Sequence, residues 1–382
     1  MMRETHDIPL GTDGLSILIA DIGLGTPRQE FRVQLDLGTA HFYVPSSHCQ
    51  GCYFQKRYDG NASLTHVKNG TLFTIAGASG VVSQDILYLD DLKVKDQQFG
   101  EALSLNGWGA YGRDGILGLA YDPLEPNGSA TGPESFLIKL RRHGAVEEPL
   151  LGLYIGDKFK SPYGGGVTGQ FTIGGVDDYR YKGRLQWVDA FRPGQWSVDL
   201  KELVIDWDRK ASGDGDQITL MQAGEGDSFR DKKEGTRRIR DSNSDTIWPT
   251  SASVPAHLRP GWLYISIPSA MARDLNEALG LTESSTYNDL YYYLECSKLN
   301  FEDMPNVGVR IGRAVYWLTP QEYLVRYQAE DKDECLSQFT GLASRGIETE
   351  TDKGAVLGTL FMRKFFTALD FEAHRVGFAM AK

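Results

Sequence analysis

The chain has 382 residues, with 40 Lys and Arg against 51 Asp and Glu, a formal net charge of −11. That balance argues against a nucleic-acid partner, because phosphate binding needs a basic stripe, and against an anionic membrane surface. Hydrophobic residues at 41% and charged residues at 24% describe a globular protein, and the length fits two domains at roughly 150 residues each. No apolar run approaches the roughly 18 residues of a membrane-spanning helix, so no span is expected.

Taken from the N-terminus, Met1–His6 carries no signal-peptide apolar core. The stretch Leu15–Ala20 is strand-sized, and Gly25-Thr-Pro-Arg28 reads as a turn before Phe31–Leu35, where apolar and polar residues alternate as in a half-buried strand. Thr71–Ile75 and Gly80–Leu89 flank a small-residue turn and read as a hairpin. Short helices are expected over Pro133–His143, Ser269–Gly280 and Thr319–Gln328, the last with Pro320 in its first turn. Two long loops are expected. Ser161–Gly169 is glycine-rich without a Walker lysine, and Asp206–Arg238 reads as a solvated insertion. Regular βαβ alternation is absent, so a doubly wound parallel sheet is not expected.

The four cysteines are Cys49, Cys52, Cys296 and Cys335. Cys49-Gln-Gly-Cys52 lacks the second ligand pair of a zinc site and the βαβ setting of a redox motif, which favours a tight disulfide loop. No metal and no cofactor are expected. Asn61-Ala-Ser63, Asn69-Gly-Thr71 and Asn127-Gly-Ser129 are glycosylation sequons, compatible with secretion.

A weak internal repeat is present. Gln34-Leu-Asp36-Leu-Gly38-Thr39 is echoed by Ile239-Arg-Asp241-Ser-Asn243-Ser244, and Ile116-Leu-Gly118 by Val356-Leu-Gly358. Two similar lobes, each offering one aspartate, would account for it.

At these residues the sequence resembles the pepsin-like aspartic proteases. The landmarks run in order from Ile22-Gly-Leu-Gly-Thr-Pro-Arg-Gln-Glu-Phe-Arg-Val33 through Asp36-Leu-Gly-Thr39, Tyr43-Val-Pro-Ser46 and Asp114-Gly-Ile-Leu-Gly-Leu-Ala-Tyr121. They continue with Phe171-Thr-Ile-Gly-Gly-Val-Asp177, Asp241-Ser-Asn-Ser244 and Ala355-Val-Leu-Gly-Thr-Leu-Phe-Met-Arg-Lys-Phe-Phe366. The resemblance implies an all-β dominated, bilobal fold with a cleft between pseudo-symmetric lobes and a six-stranded interlobe sheet. The lobes would be residues 1–187 with Asp36 and residues 188–382 with Asp241. It further implies disulfides Cys49–Cys52 and Cys296–Cys335, a monomer, a peptide or small-molecule substrate in the cleft, and the secretory pathway, with a cytoplasmic location left open.

By the same resemblance, Asp36 and Asp241 form the catalytic dyad, in which one carboxyl keeps a proton while its partner activates water. Gly38, Thr39, Tyr43, Asn243 and Ser244 would surround the dyad, and Ile75, Ala76 and Gly77 would form the flap over the substrate. Several positions depart from the family pattern. Asn243 stands for glycine, Leu37 for threonine, Ile75 for the flap tyrosine and Tyr43 for tryptophan, with Thr359 in the last landmark, and the hairpin is about two residues short. Three readings stay open: a divergent aspartic endopeptidase first, then an enzyme doing acid/base chemistry such as cyclisation or isomerisation on a small organic molecule, then an inactive binding protein.

Overall fold

The computed structural model describes residues 5–12, 17–53, 55–75, 77–105, 113–120, 135–142, 144, 146–156, 169–192, 195–207, 217–220, 240–241, 244–286, 289–329, 332–342 and 354–382. Strands dominate. The first half holds β1 (His6–Thr12), β2 (Leu18–Leu24), β3 (Gln29–Asp36), β4 (Phe42–Gln50), β5 (Val67–Ile75), β6 (Ala78–Leu89), β7 (Leu92–Leu105), β8 (Gly115–Gly118), β9 (Leu150–Ile155), β10 (Gly169–Ile173) and β11 (Tyr181–Asp189). Then come β12 (Ser197–Asp206), β13 (Ile218–Leu220), β14 (Arg240–Asp241), β15 (Ser244–Leu258), β16 (Ile265–Ile267), β17 (Thr282–Thr286), β18 (Asp289–Glu295), β19 (Asn306–Ile311) and β20 (Ala314–Leu318). The chain ends through β21 (Leu324–Ala329), β22 (Lys332–Ser337), β23 (Phe339–Gly341), β24 (Ala355–Leu357), β25 (Phe365–Asp370) and β26 (Arg375–Ala381). The helices are short: α1 (Phe136–Arg142), α2 (Ser269–Ala278), α3 (Pro320–Tyr323) and α4 (Thr359–Lys364).

Two compact units result. One comprises Met1–Trp196, Leu258–Trp262 and Met362–Lys382, and the other Ser197–His257 and Leu263–Phe361. The first is built on a 13-stranded sheet in the order β11-β26-β25-β9-β10-β1-β2-β3-β8-β4-β7-β6-β5. Its interior alternates as the pleat requires, with Phe31, Val33 and Leu35 of β3 buried while Arg32 faces out. The second holds a nine-stranded sheet, β13-β20-β19-β12-β15-β24-β16-β23 with β14 on β15, and a four-stranded sheet, β17-β18-β22-β21. Among the described pairings most are antiparallel, with parallel ones at β3–β8, β4–β7 and β16–β23.

Two local expectations change. The helix expected over Thr319–Gln328 stops at Tyr323, and Leu324–Ala329 is strand β21, paired residue by residue with β22. Cross-strand pairing outweighs weak helical periodicity there. Within the stretch read as a solvated insertion, Ile218–Leu220 forms β13 against β20. Most of that stretch, the glycine-rich loop before Gly169 and the sequon at Asn127 lie outside the described residues. Both disulfides are present, Cys49–Cys52 with Cα atoms 5.8 Å apart and Cys296–Cys335 with 5.2 Å. Among the described residues no helix is long and apolar enough to cross a membrane.

Candidate functional site

Asp36 is the last residue of β3, and Gln34 and Asp36 share the strand face opposite to Val33 and Leu35. The parallel neighbour β8 pairs Asp36 with Gly118. Three backbone bonds then fix the loop that follows. Leu119 N–H donates to Asp36 O at 2.8 Å, Ala120 N–H to Thr39 O at 2.9 Å, and Gly118 N–H to His41 O at 3.0 Å. Glycine is required at 118, since a Cβ there would stand 2.5 Å from Thr39 O and 2.6 Å from His41 N and O. Inside the loop Asp36 Oδ1 accepts the Gly38 N–H at 2.7 Å, and Thr39 Oγ1 accepts the His41 N–H at 3.2 Å. Leu37 turns inward and is buried, whereas Gly38 is exposed.

Tyr43, on β4, is buried in an apolar cluster with the Cys49–Cys52 pair, Phe73 and Ile116. Burial pushes its phenol well above the ordinary range; the Arg113 cation opposes this and the Asp36 charge adds to it. Ile75 packs against the same cluster at the end of β5. The hairpin turns at once, because Ile75 pairs with Ala78, and Gly77 adopts φ +83° as a two-residue connection demands. Ala76 lies outside the described residues.

The second unit repeats this framework. Its strands run β12-β15-β24-β16 where the first unit has β2-β3-β8-β4. Ile19 of β2 faces Gln34, two residues before Asp36, and Ser197 of β12 faces His257, two before Arg259. Leu117 of β8 faces Phe42, six residues past Asp36, and Leu357 of β24 faces Ile265, six past Arg259. Gly118 N–H donates to the carbonyl five residues past Asp36, and Gly358 N–H donates to Tyr264 O, five past Arg259. By strand order, register and loop bonding, the position that Asp36 holds on β3 is held after β15 by Arg259. Glycine follows two residues later in each case, at Gly38 and Gly261.

Asp241 stands elsewhere in this framework. It ends β14 and pairs with Ser244 across the connection 242–243, at the opposite end of β15 from Leu258. Asn243 lies outside the described residues, and Ser244 opens β15 opposite Asp206.

Arg259 belongs to the short segment Leu258–Trp262 that clusters with the first unit. A Cβ on Gly38 would stand 3.2 Å from Asp36 Oδ1 and 3.9 Å from Arg259 Cζ and Nε, so the guanidinium lies over the Asp36 loop. Beside them, Arg113 donates to Gln34 Oε1, and a Cβ on Gly261 would stand 3.4 Å from Gln34 Nε2. Among the described residues no cluster of side chains could hold a metal ion.

The sequence matches the family description "Eukaryotic aspartyl protease" over residues 18–220 and 238–381. The chain belongs to that family. Aspartyl proteases similar to it include vacuolar protease A of Aspergillus fumigatus, 30% identical over 99% of this chain and 82% of the relative. Cathepsin D of Chionodraco hamatus is 29% identical over 95% and 80%, and a vacuolar aspartic protease of Candida albicans 28% over 99% and 78%. The family is one of aspartic endopeptidases with a pepsin-like, bilobal β fold, and its members act on peptides. The residue that motif reading passes over in this aspartyl-protease chain is Arg259. An acid is what the eye searches for, and the usable signal is instead the frame around Arg259-Pro-Gly261, set at the same offset from the next strand as Asp36-Leu-Gly38.

Proposed function

We propose that the protein binds extended peptide chains at the Asp36 loop and does not cut them through paired carboxylates. The observation that carries this is Arg259 at the strand position matching that of Asp36. A dyad works because two neighbouring carboxyls share one proton, one accepting a proton from water while the other donates to the substrate carbonyl. A guanidinium stays protonated throughout the range where carboxyls titrate, so it neither shares that proton nor takes one from water. Family membership supports a peptide ligand. The hairpin carrying Ile75 and Gly77, and the loop of Gly38 and Thr39 next to Tyr43, supply the surface it would meet.

A second reading, an endopeptidase with Asp36 and Asp241 as its dyad, is favoured by the Asp241-Ser-Asn-Ser244 segment and by the family's activity. In that reading the lobes are residues 1–187 and 188–382, and Asn243 and Ser244 flank the second acid. One experiment separates the two. A denatured protein mixture is incubated with the wild type, Asp36→Asn and Asp241→Asn from about pH 3 to about pH 7, and new peptide ends are read by mass spectrometry. The binding reading expects no cleavage above the level shared by all three. Wild-type cleavage abolished in both variants would establish the dyad and remove the binding reading.

The location proposed is the secretory pathway. Relatives named as vacuolar proteases support it, as do exposed sequon asparagines at Asn61 and Asn69 and two disulfides.

A further inference from the structure

We propose that Arg259 makes the Asp36 loop a receptor for a carboxylate on the bound peptide, from an acidic side chain or a free C-terminus. This rests on the peptide-binding reading above and adds the chemical class of the ligand.

The argument begins with charge. The chain carries a formal net charge of −11, yet the Arg259 guanidinium lies over the Asp36 loop and Arg113 bonds to Gln34, two residues before Asp36 on the same strand. Arg113 is held in place by its bond to Gln34, whose strand face is also that of Asp36. Arg259 is differently placed. It is exposed, and among the described residues its guanidinium makes no hydrogen bond and no ion pair. Among the described residues its N–H donors are therefore uncommitted, while Leu258 and Pro260 on either side of it are buried. Asp36 does not consume them, since its Oδ1 already accepts the Gly38 N–H and no ion pair joins it to Arg259.

Shape points the same way. Gly38 is exposed and has no Cβ, so the space between the Asp36 carboxylate and the Arg259 guanidinium is open to a ligand. A guanidinium presents paired N–H donors in a plane, the geometry that a carboxylate accepts with both oxygens. Neutral amides of a peptide backbone would gain less from such a group. Where a paired-acid site presents a second carboxyl, this one presents a guanidinium.

The test uses the full chain and three fluorescent peptides of one sequence, read by anisotropy. One has a central Gln and an amidated C-terminus, one has Glu in place of that Gln and the same amide, and one has the Gln with a free C-terminal carboxylate. The wild type is expected to bind at least one carboxylate peptide about tenfold or more tighter than the neutral one, and the advantage should shrink with added salt. A gain from the Glu peptide alone assigns the side chain, and a gain from the free terminus alone assigns the C-terminus. Arg259→Ala should erase the gain, Arg259→Lys should keep part of it, and Asp36→Asn should enlarge it by removing a like charge. Thermal melts confirm that each variant is folded. Equal binding of all three peptides by the wild type, or a gain that survives Arg259→Ala, overturns the carboxylate proposal alone. Failure of every peptide to bind overturns it together with the peptide-binding reading.

Discussion

Two carboxylates of the first unit differ in burial and in how far their oxygens are satisfied. Asp36 has one backbone donor and stays partly exposed. Asp85 is only 1% exposed and is saturated, by Tyr58 OH at 2.5 Å, Thr65 Oγ1 at 2.6 Å and the Ile86 N–H at 2.8 Å. Burial works to raise the Asp85 pKa, but hydrogen bonds from Thr65, Tyr58, Ser63 and the Ile86 amide outweigh it and hold the carboxyl below its usual range. Because the folded pKa lies below the unfolded one of about 3.9, the unfolded chain binds more protons in acid. The stabilisation is then complete above about pH 4 and is lost as pH falls through the folded value. Asp85→Asn is expected to cost about 2 kcal/mol at neutral pH, since a buried network loses a charged acceptor. Its stability should also fall less steeply in acid than that of the wild type. Urea midpoints measured at several pH values check this, and parallel acid limbs would refute it.

At the scale of elements, the hairpin β5–β6 rests on one glycine. Gly77 sits at φ +83°, a region costly to residues with a Cβ and worst for branched ones. Gly77→Val is expected to destabilise the first unit by about 1–2 kcal/mol and to loosen Ile75 from its cluster, seen as a lower melting temperature and faster amide exchange at Ile75 and Ala78. An unchanged melt would mean that the turn tolerates another geometry. That hairpin was legible in the sequence, as were β3, α1 and α2, because alternation and amphipathic spacing are local signals. Helix α4, following Val356-Leu-Gly358, went unread, and β21 was read as helix, because its strand character comes from β22 across the sheet. Asp36 was legible for a related reason: its motif is contiguous and Ile116-Leu-Gly118 follows in order. The position of Arg259 is written in the pairings of β12, β15, β24 and β16, which join residues as far apart as 197 and 257 or 265 and 357. No contiguous motif carries that information, and motif reading selects the Asp241-Ser-Asn-Ser244 segment instead.

The whole molecule divides its covalent reinforcement unequally between its units. Cys49–Cys52 spans a sequence separation of 3 inside the core of the first unit, whereas Cys296–Cys335 spans 39 in the second. The longer bridge ties the turn after β18 to β22, enclosing β19, β20, α3 and β21. By the chain-entropy relation a loop of that length restricts the unfolded state by about 4 kcal/mol, against about 2 kcal/mol for the short one. The second unit divides its strands between separate nine- and four-stranded sheets, whereas the first is built on one 13-stranded sheet. Replacing both cysteines of a bridge by alanine avoids leaving a buried hydroxyl at Cys52 or Cys335. The Cys296→Ala/Cys335→Ala double variant should therefore lose more stability than Cys49→Ala/Cys52→Ala, with calorimetry resolving an earlier transition that the short-loop variant lacks. Equal losses would place the contribution of these bridges in native packing, because only the unfolded-state argument makes loop length decide the order.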